Sequence, residues 1–301
     1  MHPFETHDLI RHDGARIVLR RAPNPGRTRL VLSHGNGFAI GGYRAFWSLL
    51  QADFELVLHD LRNHGANPLH TLEGHTVAAM ADDHVAACAE IAAAFGPRPT
   101  IGVFHSISSI AAILAAGQGA GRGVTWDALA LIDPPLTAPE GHEMRATAGK
   151  LDQSLAQYAR TRPHHFARVE DLAEQYAARL GRSWVAGAAM DMATAVTRPA
   201  ADGGVELACP GAYEARIYED NARTDSFSAL GRVGRPAFLI GADPDMERAM
   251  SPARIGPVAA ATHGLRHTPL RGCGHMLQIE KPQEAVAALR AEIERLGLAR
   301  G

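Results

Sequence analysis

The sequence is poor in cysteine and has no long apolar run. Its 301 residues include three cysteines, Cys88, Cys209 and Cys273, which are too few and too widely spaced for a disulfide framework or a paired-cysteine metal site. The most apolar stretch, residues 107–116, is far shorter than the roughly 20 residues that span a bilayer. The N-terminal residues also lack the apolar segment of a secretory signal. We therefore expect a cytoplasmic protein that does not cross a membrane.

The chain also lacks an excess of charge of either sign. It has 30 Lys and Arg against 32 Asp and Glu, which gives a formal net charge of -2. A nucleic-acid partner requires a basic surface, so none is expected. Hydrophobic residues make up 46% of the chain and charged residues 21%, which excludes a disordered or fibrous protein. A small-molecule substrate is the expected partner, and the oligomeric state, including a homodimer, stays open.

Short apolar runs alternate with alanine-rich segments in the first half of the chain. The alanine-rich segments predict helices over residues 76–95 and 106–116. The apolar runs predict strands at residues 16–20, 29–33, 55–59, 100–104 and 128–132. Because the later strands are apolar throughout, we expect helices to cover both faces of a mostly parallel sheet.

The alternation of strand and helix stops near Pro134. Residues 136–230 are mainly helix-forming and contain no convincing parallel strand. The alternation then resumes, with strands expected at 236–241 and 265–270 and a closing helix from Pro282. We therefore predict an α/β core made of residues 1–135 and 231–301, interrupted by an inserted helical cap at 136–230.

Ser106 lies directly between a predicted strand and a predicted helix. Such a junction lifts the hydroxyl out of the carboxyl edge of the sheet and aims the amides of the helix N-terminus at the same point. A serine in this place is also a common helix cap. The nucleophile motif Gly-x-Ser-x-Gly has neither glycine here, because Phe104 and Ser108 flank Ser106. From these residues alone, the nucleophile and the helix cap both stay open.

Further loops with polar or glycine-rich sequences follow other predicted strands. The glycine-rich segment that starts at His34 follows the strand at 29–33, and its turns leave amides free for a ligand. In the next loop, Asp60 and Arg62 are assigned a structural role, in which they hold neighbouring loops. His275 follows the last strand in a glycine-flanked loop, which distinguishes it from the other histidines.

Four of these segments, HGNGF, DLRNHG, HSISS and GCGHM, occur in the order and spacing of the α/β-hydrolase family. The chain resembles that family over essentially its whole length. The resemblance implies an α/β-hydrolase fold with a mostly parallel sheet, helices on both faces and an inserted helical cap. It also implies the triad order serine, acid, histidine. Ser106 matches the nucleophile, His275 the base and Asp243 the acid, with Asp245 and then Asp133 as alternatives.

The resemblance implies further contacts around the serine. The oxyanion hole is expected from the backbone N–H groups of Asn36 and Ile107. Substrate contacts are expected from Gly35, Gly37, Phe38, His105 and Met276. The cap is expected to line the pocket, with Met144, Phe166, Trp184, Met190, Met192 and Tyr213 as candidates, although most of these are expected to be core residues of the cap instead.

These residues predict a serine hydrolase that needs neither a metal nor an organic cofactor. It would cleave a carboxylic ester, lactone or thioester of a small to medium apolar substrate through an acyl-enzyme. Ser106 occupies the sharp turn between strand and helix that carries the nucleophile in this family, called the elbow. A serine there argues against haloalkane dehalogenases and epoxide hydrolases, for which the resemblance implies an aspartate as the nucleophile. Two alternatives stay open. One is a carbon-carbon bond hydrolase with the same triad, and the other is an inactive hydrolase fold that binds a ligand.

Overall fold

The computed structural model describes residues 4–117, 126–179, 183–201 and 203–299. Its strands are β1 (Glu5–Ile10), β2 (Arg16–Ala22), β3 (Arg29–Ser33), β4 (Glu55–His59), β5 (Thr100–His105), β6 (Ala128–Ile132), β7 (His165–Phe166), β8 (Thr197–Pro199), β9 (Val205–Leu207), β10 (Ala237–Gly241) and β11 (Arg266–Pro269).

The helices follow the strands along most of the chain. They are α1 (Arg44–Trp47), α2 (Val77–Phe95), α3 (Ile107–Gly117), α4 (Met144–Thr161), α5 (Val169–Arg179), α6 (Ala188–Val196), α7 (Gly211–Asn221), α8 (Ser226–Leu230), α9 (Ser251–His263), α10 (Leu277–Glu280) and α11 (Pro282–Arg295), with a 3₁₀ turn at Ile40–Tyr43. No helix in the described part of the chain is long and apolar enough to cross a bilayer.

Eight strands form one sheet in the order β1-β2-β4-β3-β5-β6-β10-β11. All pairs from β4 to β11 are parallel, whereas β1 and β2 are antiparallel to their neighbours. This arrangement confirms the expected α/β class with a mostly parallel sheet. The sequence analysis did not predict β1. The reason is that this edge strand is largely exposed, with Leu9 as its buried hydrophobic residue, so it has no alternating apolar pattern.

The central strands are buried on both faces. Each residue of β3, β4, β5 and β6 is buried, and alternate residues enter two separate hydrophobic clusters. In β3, for example, Leu30 and Leu32 pack into one cluster and Val31 packs into the other. Because parallel strands all point the same way, their carboxyl ends and the loops that follow them meet at one edge of this rigid sheet.

The segment between β6 and β10 holds α4 to α8 and a small antiparallel sheet in the order β7-β9-β8. The small sheet was not expected, because its strands of two or three residues are too short to leave a pattern in the sequence. α6 packs on the 3₁₀ turn after β3, and a Cβ placed on Gly42 would lie 2.3 Å from Sδ of Met192. The division of the chain into a core and a cap at residues 136–230 stays a prediction.

The ring of Phe104 points away from Ser106 into the core beneath the sheet. It packs against His84 and Trp126, with ring centroids 4.4 Å and 5.6 Å apart. Residues two apart on a strand share a face, so Phe104 lies beside Gly102. A Cβ on Gly102 would be 2.3 Å from Cε2 of Phe104. The glycine in the strand therefore makes room for the large residue that precedes the elbow.

We expect Gly102→Ala to lower the free energy of unfolding by about 1–3 kcal/mol, because the added methyl group overlaps the Phe104 ring. Urea unfolding of the purified protein measures this change. In a Phe104→Ala background the same substitution should cost less, since the overlapping ring is gone. An equal cost in both backgrounds would show that the two residues do not compete for space.

Candidate active site

The structure brings Ser106, His275 and Asp133 together at the carboxyl edge of the sheet. Oγ of Ser106 lies 3.0 Å from Nε2 of His275, and Nδ1 of His275 lies 2.6 Å from Oδ2 of Asp133. Since the carboxylate can only accept, Nδ1 of His275 carries the proton and Nε2 is free to accept from the serine hydroxyl. Asp133 is 1% exposed and His275 is 18% exposed at their side chains.

The prediction that Asp243 contacts His275 is wrong. The Asp243 carboxylate accepts from Nη1 of Arg271 at 3.0 Å and from the backbone N–H groups of Gly272 and Asp245 at 2.8 Å and 3.0 Å. These two amides and Arg271 hold the pKa of Asp243 below its ordinary value. The side chain of Asp245, the second choice for the acid, also pairs with Arg271. Both aspartates therefore bind the loop that precedes His275 rather than the histidine itself.

The backbone is strained at two of the three residues of this arrangement. Among the described residues, the non-glycine residues with positive φ are Asn63 (61°), Ser106 (54°) and Asp133 (42°). Such a conformation costs about 1–3 kcal/mol per residue and persists only where the surroundings impose it. Here the N–H of Ser106 donates to the carbonyl of Ile132, and the N–H of Asp133 donates to that of Ile240. Neighbouring strands thus hold both turns.

Two serines replace the small residues expected after the elbow, and their hydroxyls bind back to β5. Oγ of Ser108 donates to the carbonyl of His105 at 2.8 Å, and Oγ of Ser109 donates to the carbonyl of Phe104 at 2.5 Å. Both hydroxyls therefore fix the first turn of α3 against the strand that carries Ser106. This turn has the N-terminal amide of Ile107 at its start.

Two backbone N–H groups of the cavity lining have no hydrogen-bond partner in the described part of the chain. They belong to Asn36 and Ile107, the two expected oxyanion donors, and both residues line the same cavity as Ser106. The adjacent N–H of Gly37 is already used, because it donates to Nε2 of His64 at 3.2 Å. A Cβ on Gly35 would lie 3.1 Å from Cβ of Ser106, so this loop passes very close to the elbow.

The loop that carries Asn36 is held by the buried imidazole of His34. Its Nδ1 donates to the carbonyl of Gly35 at 2.8 Å, and its Nε2 accepts from the N–H of Leu61 at 3.0 Å. Burial lowers the pKa of His34 to about 3, although Asp60 acts in the opposite direction. The ring is therefore neutral at physiological pH and provides one donor and one acceptor between two loops.

His105, which was expected to contact substrate, is fully buried and links three loops instead. Its Nε2 donates to the carbonyl of His275 at 2.9 Å, and its Nδ1 accepts from the hydroxyl of Tyr43 at 2.8 Å. The same hydroxyl accepts from the N–H of Gly35 at 3.2 Å. Burial holds the pKa of His105 well below its ordinary value, so the ring is neutral, and the carbonyl at Nε2, which can only accept, sets this tautomer. No sequence motif pointed to Tyr43.

Glu280 fixes the histidine loop from the other side. Its carboxylate accepts from the N–H of Gly274 at 2.7 Å and from the N–H of Met276 at 3.2 Å, the two residues that flank His275. Sequence analysis assigned no role to Glu280. The sequence shows that Glu280 follows His275 by five residues. It does not show that the chain folds so that the Glu280 carboxylate contacts the loop that carries the histidine.

Asp60 and Arg62 were assigned a structural role. Each of them binds neighbouring elements, but the two side chains do not pair with each other. The carboxylate of Asp60 accepts from the N–H of Ile40 at 2.7 Å. The guanidinium of Arg62 donates to the carboxylates of Asp83 and Asp13 at 2.6–2.8 Å. These contacts fix the loop after β4 against the loop after β3 and against α2.

A cavity of about 520 Å³ opens above Ser106. Gly35, Gly37, Phe38 and Met276 line it, as expected, whereas His105 does not. The segment between β6 and β10 forms much of the remaining wall. Its contributions include apolar side chains and several polar ones, namely Leu136, Leu151, Leu155, Arg145, Asp152, Arg162, Tyr176, Glu214, Tyr218 and Asn221.

None of the six candidate residues from this segment lines the cavity. Phe166, Trp184 and Met192 belong to the hydrophobic core, and Met144 packs against it. Met190 is exposed, and the hydroxyl of Tyr213 donates to the carbonyl of His70. Apolar side chains in a small helical segment are needed first for its own packing, so the cavity is left with more polar residues.

One cluster in the described residues has the composition of a metal site. Ligand-type atoms of His64, His75 and Cys209 lie within 4.8 Å of one another. However, both ring nitrogens of His64 are already used, since Nδ1 donates to the carbonyl of Arg62 and Nε2 accepts from Gly37. Burial also raises the pKa of the Cys209 thiol well above its ordinary value, which disfavours the thiolate that a metal requires. We assign this cluster to packing.

The comparison with protein families agrees with this geometry. A family model described as the alpha/beta hydrolase family matches residues 30–289. The chain therefore belongs to the α/β-hydrolase family, and its sheet and helices have that fold. None of the curated proteins matches the sequence.

Many solved structures share the fold. E-2-(acetamidomethylene)succinate hydrolase aligns with a TM-score of 0.78 and 18% identity, over 97% of this chain and 99% of that one. A thioesterase domain from the curacin biosynthetic pathway gives 0.69 and 19%, over 98% and 100%. An N-formylmaleamic acid deformylase from Pseudomonas putida S16 gives 0.66 and 15%, over 95% and 100%. At these identities the likeness shows the fold alone.

Asp152 in the cavity wall should make stability depend on pH. Burial raises its pKa to about 6 from 3.8, against a hydrogen bond from Asn221. Between pH 4 and 6 the folded state keeps this proton and the unfolded state loses it, so stability falls as pH rises. We expect Asp152→Asn to raise the free energy of unfolding at pH 7.5 by about 1–3 kcal/mol.

Urea unfolding of both proteins at pH 4 and pH 7.5 measures this effect. The difference in free energy of unfolding between Asp152→Asn and wild type at each pH removes the contribution of the other carboxylates. At pH 4 the variant should differ little from wild type, because Asp152 is then protonated in the folded state. A variant that is destabilised equally at both pH values would contradict the assignment.

Proposed function

We propose that this protein is a serine hydrolase that cleaves carboxylic esters, including lactones and thioesters, through an acyl-enzyme. The observation that carries the proposal is the chain of hydrogen bonds from Ser106 through His275 to Asp133, with Ser106 and His275 in the lining of a cavity that two residues with unpaired backbone N–H groups also line. A cavity of about 520 Å³ suits a small to medium substrate, and its leucine side chains suit an apolar part of it.

Each residue then has a defined task. His275 accepts the proton of Ser106 at Nε2 while Oγ attacks the substrate carbonyl, and Asp133 stabilises the imidazolium through Nδ1. The N–H groups of Asn36 and Ile107 donate to the oxyanion, and each well-placed donor lowers the barrier by about 3 kcal/mol. His275 returns the proton to the leaving group. It then deprotonates the water that releases the acid and restores Ser106.

The structural relatives support a reaction at an acyl carbon. One is a hydrolase of E-2-(acetamidomethylene)succinate, one is a thioesterase domain and one is a deformylase. Because these proteins, which share one fold, act on different leaving groups, the proposal concerns the triad mechanism before it concerns the bond that is cleaved. The ester comes first because it is the least demanding substrate of a serine triad.

Labelling with a fluorophosphonate probe tests the nucleophile. We expect the wild type to be labelled at Ser106, because the hydroxyl is activated by His275, and we expect Ser106→Ala to remain unlabelled. Peptide mass mapping identifies the modified residue, and Ser109→Ala is the matched control that should still label. A folded wild type that does not react, yet binds ligands in saturable fashion, would instead favour a receptor built on this fold.

The choice of acid is tested by comparing two aspartates. Asp133→Asn should lower kcat for 4-nitrophenyl esters by about 10³–10⁴-fold, because the amide no longer holds His275 in the productive tautomer. Asp243→Asn should cause a far smaller fall, since Asp243 touches only the preceding loop. A steep fall for Asp243→Asn with Asp133→Asn active would reverse the assignment. Including a vinylogous diketone among the substrates separates ester from carbon-carbon hydrolysis.

A further inference from the structure

Four of the residues that line the cavity each carry a buried polar side-chain atom that has no hydrogen-bond partner within the described residues. These atoms are Oδ1 of Asn36, Nε of Arg162, the hydroxyl oxygen of Tyr176 and Oδ1 of Asn221. Buried polar atoms in folded proteins are almost always paired, because an unpaired one loses its hydration without compensation. Four such atoms on residues that line the cavity above Ser106 therefore point to polar groups on the molecule that fills it.

Three of these atoms belong to one cluster, which we call the polar wall and define as Asn36, Arg162, Tyr176 and Glu214. Nη2 of Arg162 donates to Oε2 of Glu214 at 2.5 Å, and both side chains are 8% exposed. Nδ2 of Asn36 donates to the carbonyl of Glu214 at 2.8 Å. Burial raises the pKa of Tyr176 to about 12, against the effect of Arg162, so its hydroxyl remains a donor.

The polar wall adjoins the loop that supplies an oxyanion donor. Asn36 belongs to both, through its side chain and its backbone N–H. A Cβ placed on the next residue, Gly37, would lie 2.5 Å from Oε1 of Glu214, so that carboxylate rests directly on the loop. A substrate group held by the polar wall therefore lies near the carbonyl that Ser106 attacks.

The hydrogen-bond donors of the polar wall that the protein does not use determine which group of a ligand can bind there. Arg162 and Glu214 neutralise each other, yet the guanidinium has five N–H donors, more than its contacts with Glu214 and Tyr176 use. Tyr176 adds another donor. Donors in a planar fork match the sp² oxygens of a carboxyl-derived group. We propose that the polar wall binds a carboxylate or carboxamide oxygen on the acyl substrate of Ser106.

This inference rests on the proposed function, since it names the substrate class for the same serine. It changes the expected substrate from an apolar one to one with an apolar chain and a carboxyl-derived end. The alternative for Arg162 and Glu214 is that the pair only ties α4 to α7. A purely structural pair would alter all substrates equally, so the test is a ratio between substrates.

The probes are three 4-nitrophenyl esters of equal chain length: the glutarate monoester, its carboxamide and the pentanoate. We expect the wild type to prefer at least one polar-ended ester over the pentanoate by about tenfold or more in kcat/KM. Preference for the glutarate identifies a carboxylate as the ligand, and preference for the carboxamide identifies a neutral amide. Either result supports the polar wall.

Tyr176→Phe is the most informative variant, because it removes only the hydroxyl, which lies beside Arg162 and keeps its proton free to donate. It should lower the ratio of kcat/KM for the preferred polar ester to kcat/KM for the pentanoate by about fivefold. Arg162→Lys keeps the charge beside Glu214 but removes the planar fork, and should lower the same ratio further. Tyr213→Phe, which alters a hydroxyl outside the cavity, is the matched control and should change neither rate.

Two results would overturn the inference. One is a wild type that hydrolyses the pentanoate as fast as both polar esters, and the other is a Tyr176→Phe variant that slows all three esters alike. Fluorophosphonate labelling is measured on the same samples. If Ser106 labels and the ratio fails, only the polar wall is wrong, whereas absence of labelling would overturn the proposed function itself.

Discussion

The hydrogen bond between Asp133 and His275 joins residues that are 142 positions apart in the chain. It forms because the strand before Asp133 is a neighbour of the strand before Ser106, so both turns leave the sheet at the same edge. His275 reaches them from the last loop, which Asp243 and Glu280 fasten through its backbone amides. The sheet register thus sets the distances, and the surrounding carboxylates set the position of the histidine loop.

Much of the fold is visible in the sequence because it is encoded locally. The apolar runs of β3, β4 and β6 begin and end at the residues predicted, since strands buried on both faces must be apolar throughout. Ser106 and His275, which the structure brings within 3.0 Å of each other, were also singled out, each from a position directly after a strand. The edge strand β1 and the two-residue β7 were missed, because neither buries enough side chains to leave a pattern.

The parts that were wrong depend on packing between distant segments. Asp133 ranked third because the resemblance favoured an acid a few residues past the glycine that ends the strand at 236–241. The pairing of β6 with β5 shows that Asp133 lies beside the serine. The polar part of the cavity wall was missed for a similar reason. Met192, a candidate for the wall, fills the core, as was expected for most of the candidates, and polar residues such as Arg162 line the cavity.

Neutral histidines explain how the loops at this edge are held together. A neutral imidazole has one donor and one acceptor, which lets it join a backbone carbonyl of one loop to a hydrogen donor of another. His34, His64 and His105 each do this, and burial lowers the pKa of all three, so they carry no charge at neutral pH. His275 differs from them in being partly exposed and in having a carboxylate on Nδ1. In the proposed mechanism His275 accepts the proton of Ser106, and Asp133 then stabilises the imidazolium, whereas the three neutral histidines only hold loops together.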